Sequence, residues 1–117
     1  MRTHKDLEVW KMSRLFVSEI YKQTNLFPKD ELYGLTNQIR RSAVSIPSNI
    51  AEGFGREGTK ELIRFLYISL GSLSELETQL MIACDLGFCR IEDCFLDMLI
   101  SIRKMLLGLI KSLKLKM

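Results

Sequence analysis

The stretch GFGREGTK, residues 53–60, sets Gly53, Gly55 and Gly58 in the spacing G-x-G-x-x-G and ends in Thr59 and Lys60. Glycines so spaced can bring backbone N–H groups against a phosphate, and a lysine followed by a hydroxyl residue can hold that phosphate and its metal ion. Both nucleotide cradles need a strand before the loop, so that the following helix points its N-terminus at the phosphates. A helical pattern precedes this one, and threonine stands before lysine rather than after it. The glycines therefore read as a helical hairpin, in which Gly53 or Gly55 closes one helix with a positive φ and Thr59 caps the next. Arg56 and Lys60, near a helix start, remain able to hold a backbone phosphate of RNA or DNA.

Other catalytic constellations lack their parts. The single histidine, His4, cannot supply the two Glu-x-x-His units of a di-iron bundle, and its isolation also removes Ser-His-Asp, Cys-His and H-E-x-x-H chemistry. No enzyme activity, cofactor or metal is expected. Cys84, Cys89 and Cys94 fall five residues apart, loose for zinc and without a fourth ligand nearby in sequence, so they read as small buried hydrophobes. Their odd number and the charged opening MRTHKDLEVWKMSR, which has no apolar leader segment, point to a reducing cytoplasm. No apolar run approaches the roughly 20 residues of a membrane span.

With 17 Lys and Arg against 14 Asp and Glu, the net charge of +3 leans mildly towards an anionic partner. The segment QIRRSAVSIPSNIAEG, 38–53, interleaves polar residues with an apolar stripe. A hairpin turning near Arg56 sets Arg40 and Arg41 opposite residues 71–75, which predicts Arg40 or Arg41 pairing with Glu75 or Glu77 across helices brought close by Ser69, Gly71 and Ser72. Arg40, Arg41, Arg56, Lys60, Arg64, Arg103 and Lys104 are the candidate phosphate contacts.

Four amphipathic segments carry these residues. The first, 5–25, presents Leu7, Trp10, Val17, Ile20 and Tyr21 on one face, widened by Met12 and Phe16, with Thr3 able to cap its start. Pro28 suits the first turn of a second helix, in which Leu32, Leu35, Ile39, Ala43, Ile46 and Ile50 repeat at three and four residues. That period continues past Pro47, which predicts a kink near residues 43–47 rather than a stop. Leu62, Leu66, Ser69, Leu73, Leu76, Leu80 and Ala83 mark a third helix over 59–86, ended by Gly87 in a left-handed cap. A fourth, 91–114, aligns Ile91, Phe95, Met98, Ile102, Met105, Leu109 and Leu113. Short connections make successive helices antiparallel, so the expected fold is all-α: one domain over 1–117, an up-down-up-down four-helix bundle. Leu96, Leu99, Ile100, Leu106, Leu107 and Ile110 spread apolar character around the fourth helix beyond what one core hides, which predicts self-association through it and through the first helix.

DLEVW (6–10), YGLTNQIRRSAVSIPSNIAEGFGR (33–56) and FLYISLGSLSELETQL (65–80) together resemble the family of four-helix bundle proteins encoded by intervening sequences of bacterial 23S rRNA genes, sometimes labelled a ribosomal protein. The chain is also similar to the accessory proteins of diversity-generating retroelements. Ser69 departs from the alanine that the family favours, and the three cysteines lie outside the quoted blocks. The resemblance implies a four-helix protomer in a ring-like homopentamer without established enzyme activity, and by analogy an RNA- or DNA-binding or ribosome-associated role. The competing expectation is a protein-interaction scaffold that never touches nucleic acid. Aromatic side chains beside an exposed basic strip favour the former.

Overall fold

Four α-helices pack along one another in the protein, described by a computed structural model for residues 3–93 and 95–117: α1 Glu8–Thr24, α2 Asn37–Phe54, α3 Thr59–Asp85 and α4 Leu96–Leu115. Among the described residues no strand occurs, and no helix is long and apolar enough to cross a membrane. Isoleucine, leucine and phenylalanine from all four helices form a single apolar cluster, with Phe16, Ile20, Ile39, Ile46, Ile50, Leu66, Leu73, Leu76, Leu80, Leu99, Ile102 and Leu106 almost completely hidden from solvent. Burying a side chain of this size is worth about 1.5–3 kcal/mol.

A short 3-10 turn, His4–Asp6, precedes α1 and is closed by a capping box in which Thr3 and Asp6 satisfy each other's backbone N–H groups. The buried line of α1 runs Val9, Ser13, Phe16, Ile20, Thr24, so two hydroxyl residues lie on a face read from the sequence as purely apolar. Each hydroxyl bonds back four residues: Ser13 Oγ donates to the Val9 carbonyl at 2.6 Å and Thr24 Oγ1 to that of Ile20 at 2.8 Å.

Between α1 and α2 the chain does not form the continuous helix expected from Pro28. It passes through a 3-10 turn, Lys29–Glu31, and a π-helical turn, Leu32–Thr36, in which Gly34 leaves helical geometry. The Glu31 carboxylate folds back over this turn and accepts the Leu35 N–H at 3.2 Å. Leu32, counted in the core stripe, is consequently exposed. From Asn37 onward α2 runs through Pro47 as one helix.

The α2–α3 contact is the most extensive in the molecule, and its register is antiparallel: Ser42 meets Gln79, Ser45 meets Ser72, Ile46 meets Ser69 and Gly53 meets Phe65. The turn between these helices corrects the expected role of its glycines. Gly55 ends α2 at φ −84° and Gly53 lies inside the helix; the positive φ, 87°, belongs to Gly58, which also takes the N-cap position expected of Thr59. Gly53 serves packing instead, because a Cβ there would stand 2.9 Å from Phe65 Cβ and 3.3 Å from the Leu62 carbonyl oxygen. Serines at 69 and 72 face α2 as expected, whereas Gly71 faces open space.

At the other end of α3, Gly87 adopts φ 79° in a Schellman cap, with Phe88 N–H bonded to the Ala83 carbonyl and Gly87 N–H to that of Cys84. Phe88 then packs on Phe27, tying the α3–α4 connection to the α1–α2 connection. The fourth helix starts at Leu96, after a 3-10 turn over Ile91–Asp93, with Phe95 in left-handed geometry. Its buried line is Leu99, Ile102, Leu106 and Ile110, so three residues assigned to the surplus apolar surface are core. Ile100 and Leu107 remain exposed.

Candidate nucleic-acid interface

The seven cations singled out in the sequence fall into different environments. Arg40 is a strut: its Nε donates to Thr24 Oγ1 at 2.9 Å, an Nη donates to Asn25 Oδ1 at 3.0 Å, and its guanidinium lies 4.6 Å from the centroid of Tyr21. It fastens the start of α2 to the end of α1. Arg103 is likewise engaged, bonded to Glu77 at 2.8 Å across α3 and α4 with both side chains about two-thirds shielded. Lys104 projects into solvent from the next position, and Arg41 stands exposed over the α2–α3 groove.

The expected pairing of Arg40 or Arg41 with Glu75 or Glu77 does not form. Glu77 is taken by Arg103, and Glu75 by Ser42 at 3.0 Å. The α2–α3 seam is held by serine hydroxyls instead, one of them bonded to the Glu75 carboxylate. Ser42 Oγ lies 2.9 Å from Gln79 Oε1, Ser45 Oγ lies 2.7 Å from Ser72 Oγ, and Asn49 donates to both the carbonyl and the hydroxyl of Ser45. One serine hydroxyl has a single hydrogen. With Ser42 donating to the Glu75 carboxylate, half a turn of the Gln79 amide lets that amide donate to Ser42 and satisfies both partners.

Arg56, Lys60 and Arg64 are brought together at the α2–α3 turn. The Arg56 and Arg64 guanidiniums lie 5.1 Å and 5.4 Å from the centroid of the same Phe65 ring. Arg56, in the turn just past α2, pairs with Glu52 of that helix at 3.1 Å, and Arg64 pairs with Glu61 of its own helix at 3.6 Å; both pairs are exposed. Such pairs contribute about 0–1 kcal/mol, so a phosphate can displace the carboxylate at little loss. Lys60, one turn before Arg64, has no ion pair among the described residues.

Two members of this surface were not singled out in the sequence. Tyr67 stands one turn beyond Arg64, 46% exposed, and Lys114 reaches it from the end of α4, donating to its hydroxyl at 2.8 Å. The spacing of Lys60, Arg64 and Tyr67 at i, i+4 and i+7 already places them on one helix face. Lys114 needed the antiparallel pairing of α3 with α4, which the Glu77–Arg103 and Tyr67–Lys114 contacts fix.

Charge is sorted lengthwise as a result. The end built from residues 52–64 and 107–117 carries Arg56, Lys60, Arg64, Lys111, Lys114 and Lys116 against Glu52, Glu57 and Glu61. The opposite connection, 85–97, carries Asp85, Glu92, Asp93 and Asp97 against Arg90 alone. The first stretch carries a net +3 and the second a net −3, so the α2–α3 turn is basic where the α3–α4 connection is acidic.

No curated protein matches the chain. The family model described as 23S rRNA-intervening sequence protein matches residues 5–108, which include both helices of the basic turn and all but the last lysines of α4, and the chain belongs to that family.

Proposed function

We propose that the protein is a non-enzymatic, self-associating RNA-binding protein of the cytoplasm, and that it meets nucleic acid along the strip formed by Arg56, Lys60, Arg64, Tyr67 and Lys114. The observation carrying this reading is the exposed Tyr67 ring set between cations of two helices. A flat aromatic face flanked by Lys and Arg serves single-stranded nucleic acid, in which an unpaired base stacks while the backbone phosphates meet the charges. The family's name, which ties it to 23S rRNA, agrees with RNA and with ribosome association as its setting.

Self-association is supported by the surface that one copy leaves open. The molecule measures 46 × 23 × 19 Å and exposes 7287 Å², against about 6,600 Å² for a compact monomer of its mass. Met81 and Ile82 on α3, Leu86 just past its end, and Ile100 and Leu107 on α4 are among the exposed apolar side chains. In the homopentameric ring suggested by the family resemblance, five basic ends act together and multiply a weak single contact.

Binding of fluorescent single-stranded RNA, hairpin RNA and duplex DNA across about 50–200 mM salt tests the reading, with mass measured by light scattering in the same buffers. Single-stranded RNA should bind most tightly, with log affinity falling linearly in log salt. Replacing Lys60, Arg64 and Lys114 by alanine should flatten that slope by roughly 0.7 per lost contact. Absent or salt-independent binding removes the nucleic-acid role and leaves the protein-interaction scaffold, while a 13.6 kDa particle removes the oligomer.

A further inference from the structure

Far from the basic strip, the sulfurs of Cys84 and Cys89 lie 3.4 Å apart. Cys84 is in the last turn of α3, and Cys89 follows the Gly87 cap that reverses the chain. Both pack against the apolar core yet keep part of their surface open to solvent, so they are half-buried rather than sealed; Cys94, the third cysteine read as a buried hydrophobe, lies outside the described residues. A disulfide needs its sulfurs at about 2.05 Å, so closing this pair requires roughly 1.4 Å of approach, within reach of side-chain rotation at a helix end. The Schellman cap has already folded the intervening residues into the required turn.

We propose that Cys84 and Cys89 are a redox-modifiable dithiol, converted by hydroperoxides to an intramolecular disulfide. One thiol loses its proton and its sulfur attacks a peroxide oxygen, breaking the O–O bond; with hydrogen peroxide the products are a sulfenic acid and water. The second sulfur then displaces hydroxide from the sulfenic sulfur, and the hydroxide takes up the second thiol's proton. Two thiols and one hydrogen peroxide thus become one disulfide and two waters, with both electrons of the oxidation coming from sulfur. The bond would tie the end of α3 to the segment that seats Phe88 on Phe27, stiffening the acidic end of the bundle while leaving the basic strip in place. A thiol reductant would reverse it by exchange.

The sequence supplies its own control. Cys89 is five residues from Cys84 and five from Cys94, so an unfolded chain closes the two loops with similar probability. The full-length protein should be treated with stoichiometric hydrogen peroxide, natively and in concentrated urea, alkylated, digested and mapped by mass spectrometry. The Cys84–Cys89 link should make up a several-fold larger share of the product in the native protein than in urea. Cys84→Ser and Cys89→Ser should each abolish the native product, and Cys94→Ser should preserve it. A native product dominated by links through Cys94, by links between chains or by over-oxidised thiols overturns the proposal, and so does the same distribution in urea.

Discussion

Ser69 Oγ donates a 2.9 Å hydrogen bond to the backbone carbonyl of Ile46, and solvent reaches neither residue. The bond joins α3 to α2 one residue before Pro47, in a stretch whose helical ladder lacks the N–H that proline cannot supply. Ser69→Ala removes the link while leaving the Ile46 carbonyl free to accept within α2, so the expected loss is about 1 kcal/mol. Ser69→Val forces extra volume into the same sealed contact and should lose about 1–3 kcal/mol. Urea unfolding of the two variants checks the order, and an alanine variant as stable as the parent would show that the bond contributes nothing.

Three helical glycines should respond to alanine with opposite signs. Added to an open helix interior, a methyl group favours the helix by up to about 1 kcal/mol, and Gly71 and Gly108 have nothing within 4 Å of the position a Cβ would take. Gly71→Ala and Gly108→Ala should therefore raise the melting temperature. At Gly53 the same methyl meets Phe65 Cβ and the Leu62 backbone, so α3 must retreat and a net loss of about 1–3 kcal/mol is expected. Thermal denaturation of the three variants in parallel is the measurement, and a stabilised Gly53→Ala would mean that the α2–α3 approach is looser than described.

The Ser42–Gln79 contact should behave as a coupled pair. Ser42→Ala strands a Gln79 amide that is only 9% exposed, which costs about 1–3 kcal/mol. Ser42→Ala combined with Gln79→Met replaces both partners by apolar groups and should recover most of that loss. A double-mutant cycle by urea denaturation measures the coupling, and strictly additive effects would dissolve the pair.

Thr36 offers a gain. Its hydroxyl is buried at the start of α2 without a hydrogen-bond partner among the described residues, whereas the Thr24 hydroxyl nearby is bonded to its own helix and to Arg40. Thr36→Val keeps the shape and removes a desolvated polar atom, so stability should rise by about 1 kcal/mol. Thr24→Val should fall by a comparable amount or more. Equal losses at both sites would argue that Thr36 has a partner in solution.

Most of the scaffold was legible because the α3 stripe from Leu62 to Ala83 and the α2 stripe from Ile39 to Ile50 each have one apolar phase. The fourth helix has none: with apolar residues around much of its circumference, periodicity favoured Met98, Met105 and Leu109, while packing turned the buried line by roughly 60° onto Leu99, Leu106 and Ile110. Buried hydroxyls at Ser13 and Thr24 escaped notice because the i−4 carbonyls that satisfy them appear only once the helix is built. Charge partners were least legible. Glu75 and Glu77 are two residues apart on α3, so they point to different neighbours, and which cation each meets depends on helix rotation that spacing does not set. The placement of residues 56, 60 and 64 about one turn was readable from the hairpin itself, whereas the partners of Arg40 and the structural burden on Arg103 were not.

Tyr67 separates stacking from charge in the proposed RNA contact. Its hydroxyl holds the Lys114 ammonium, and its ring offers the exposed face. Tyr67→Phe keeps the ring and frees Lys114 to meet phosphate, so single-stranded RNA affinity should change little, with the salt slope equal or slightly steeper. Tyr67→Ala loses the stacking platform, and affinity should fall by about 1–3 kcal/mol, some five-fold to more than a hundred-fold, with the slope intact. Lys60→Ala with Arg64→Ala should do the reverse, flattening the slope while the ring remains. Duplex DNA, whose bases stay stacked on one another, should be indifferent to either Tyr67 variant. Matching losses of duplex and single-strand binding in Tyr67→Ala would place the ring's contribution in the fold of the α3–α4 edge rather than in the grip on an unpaired base.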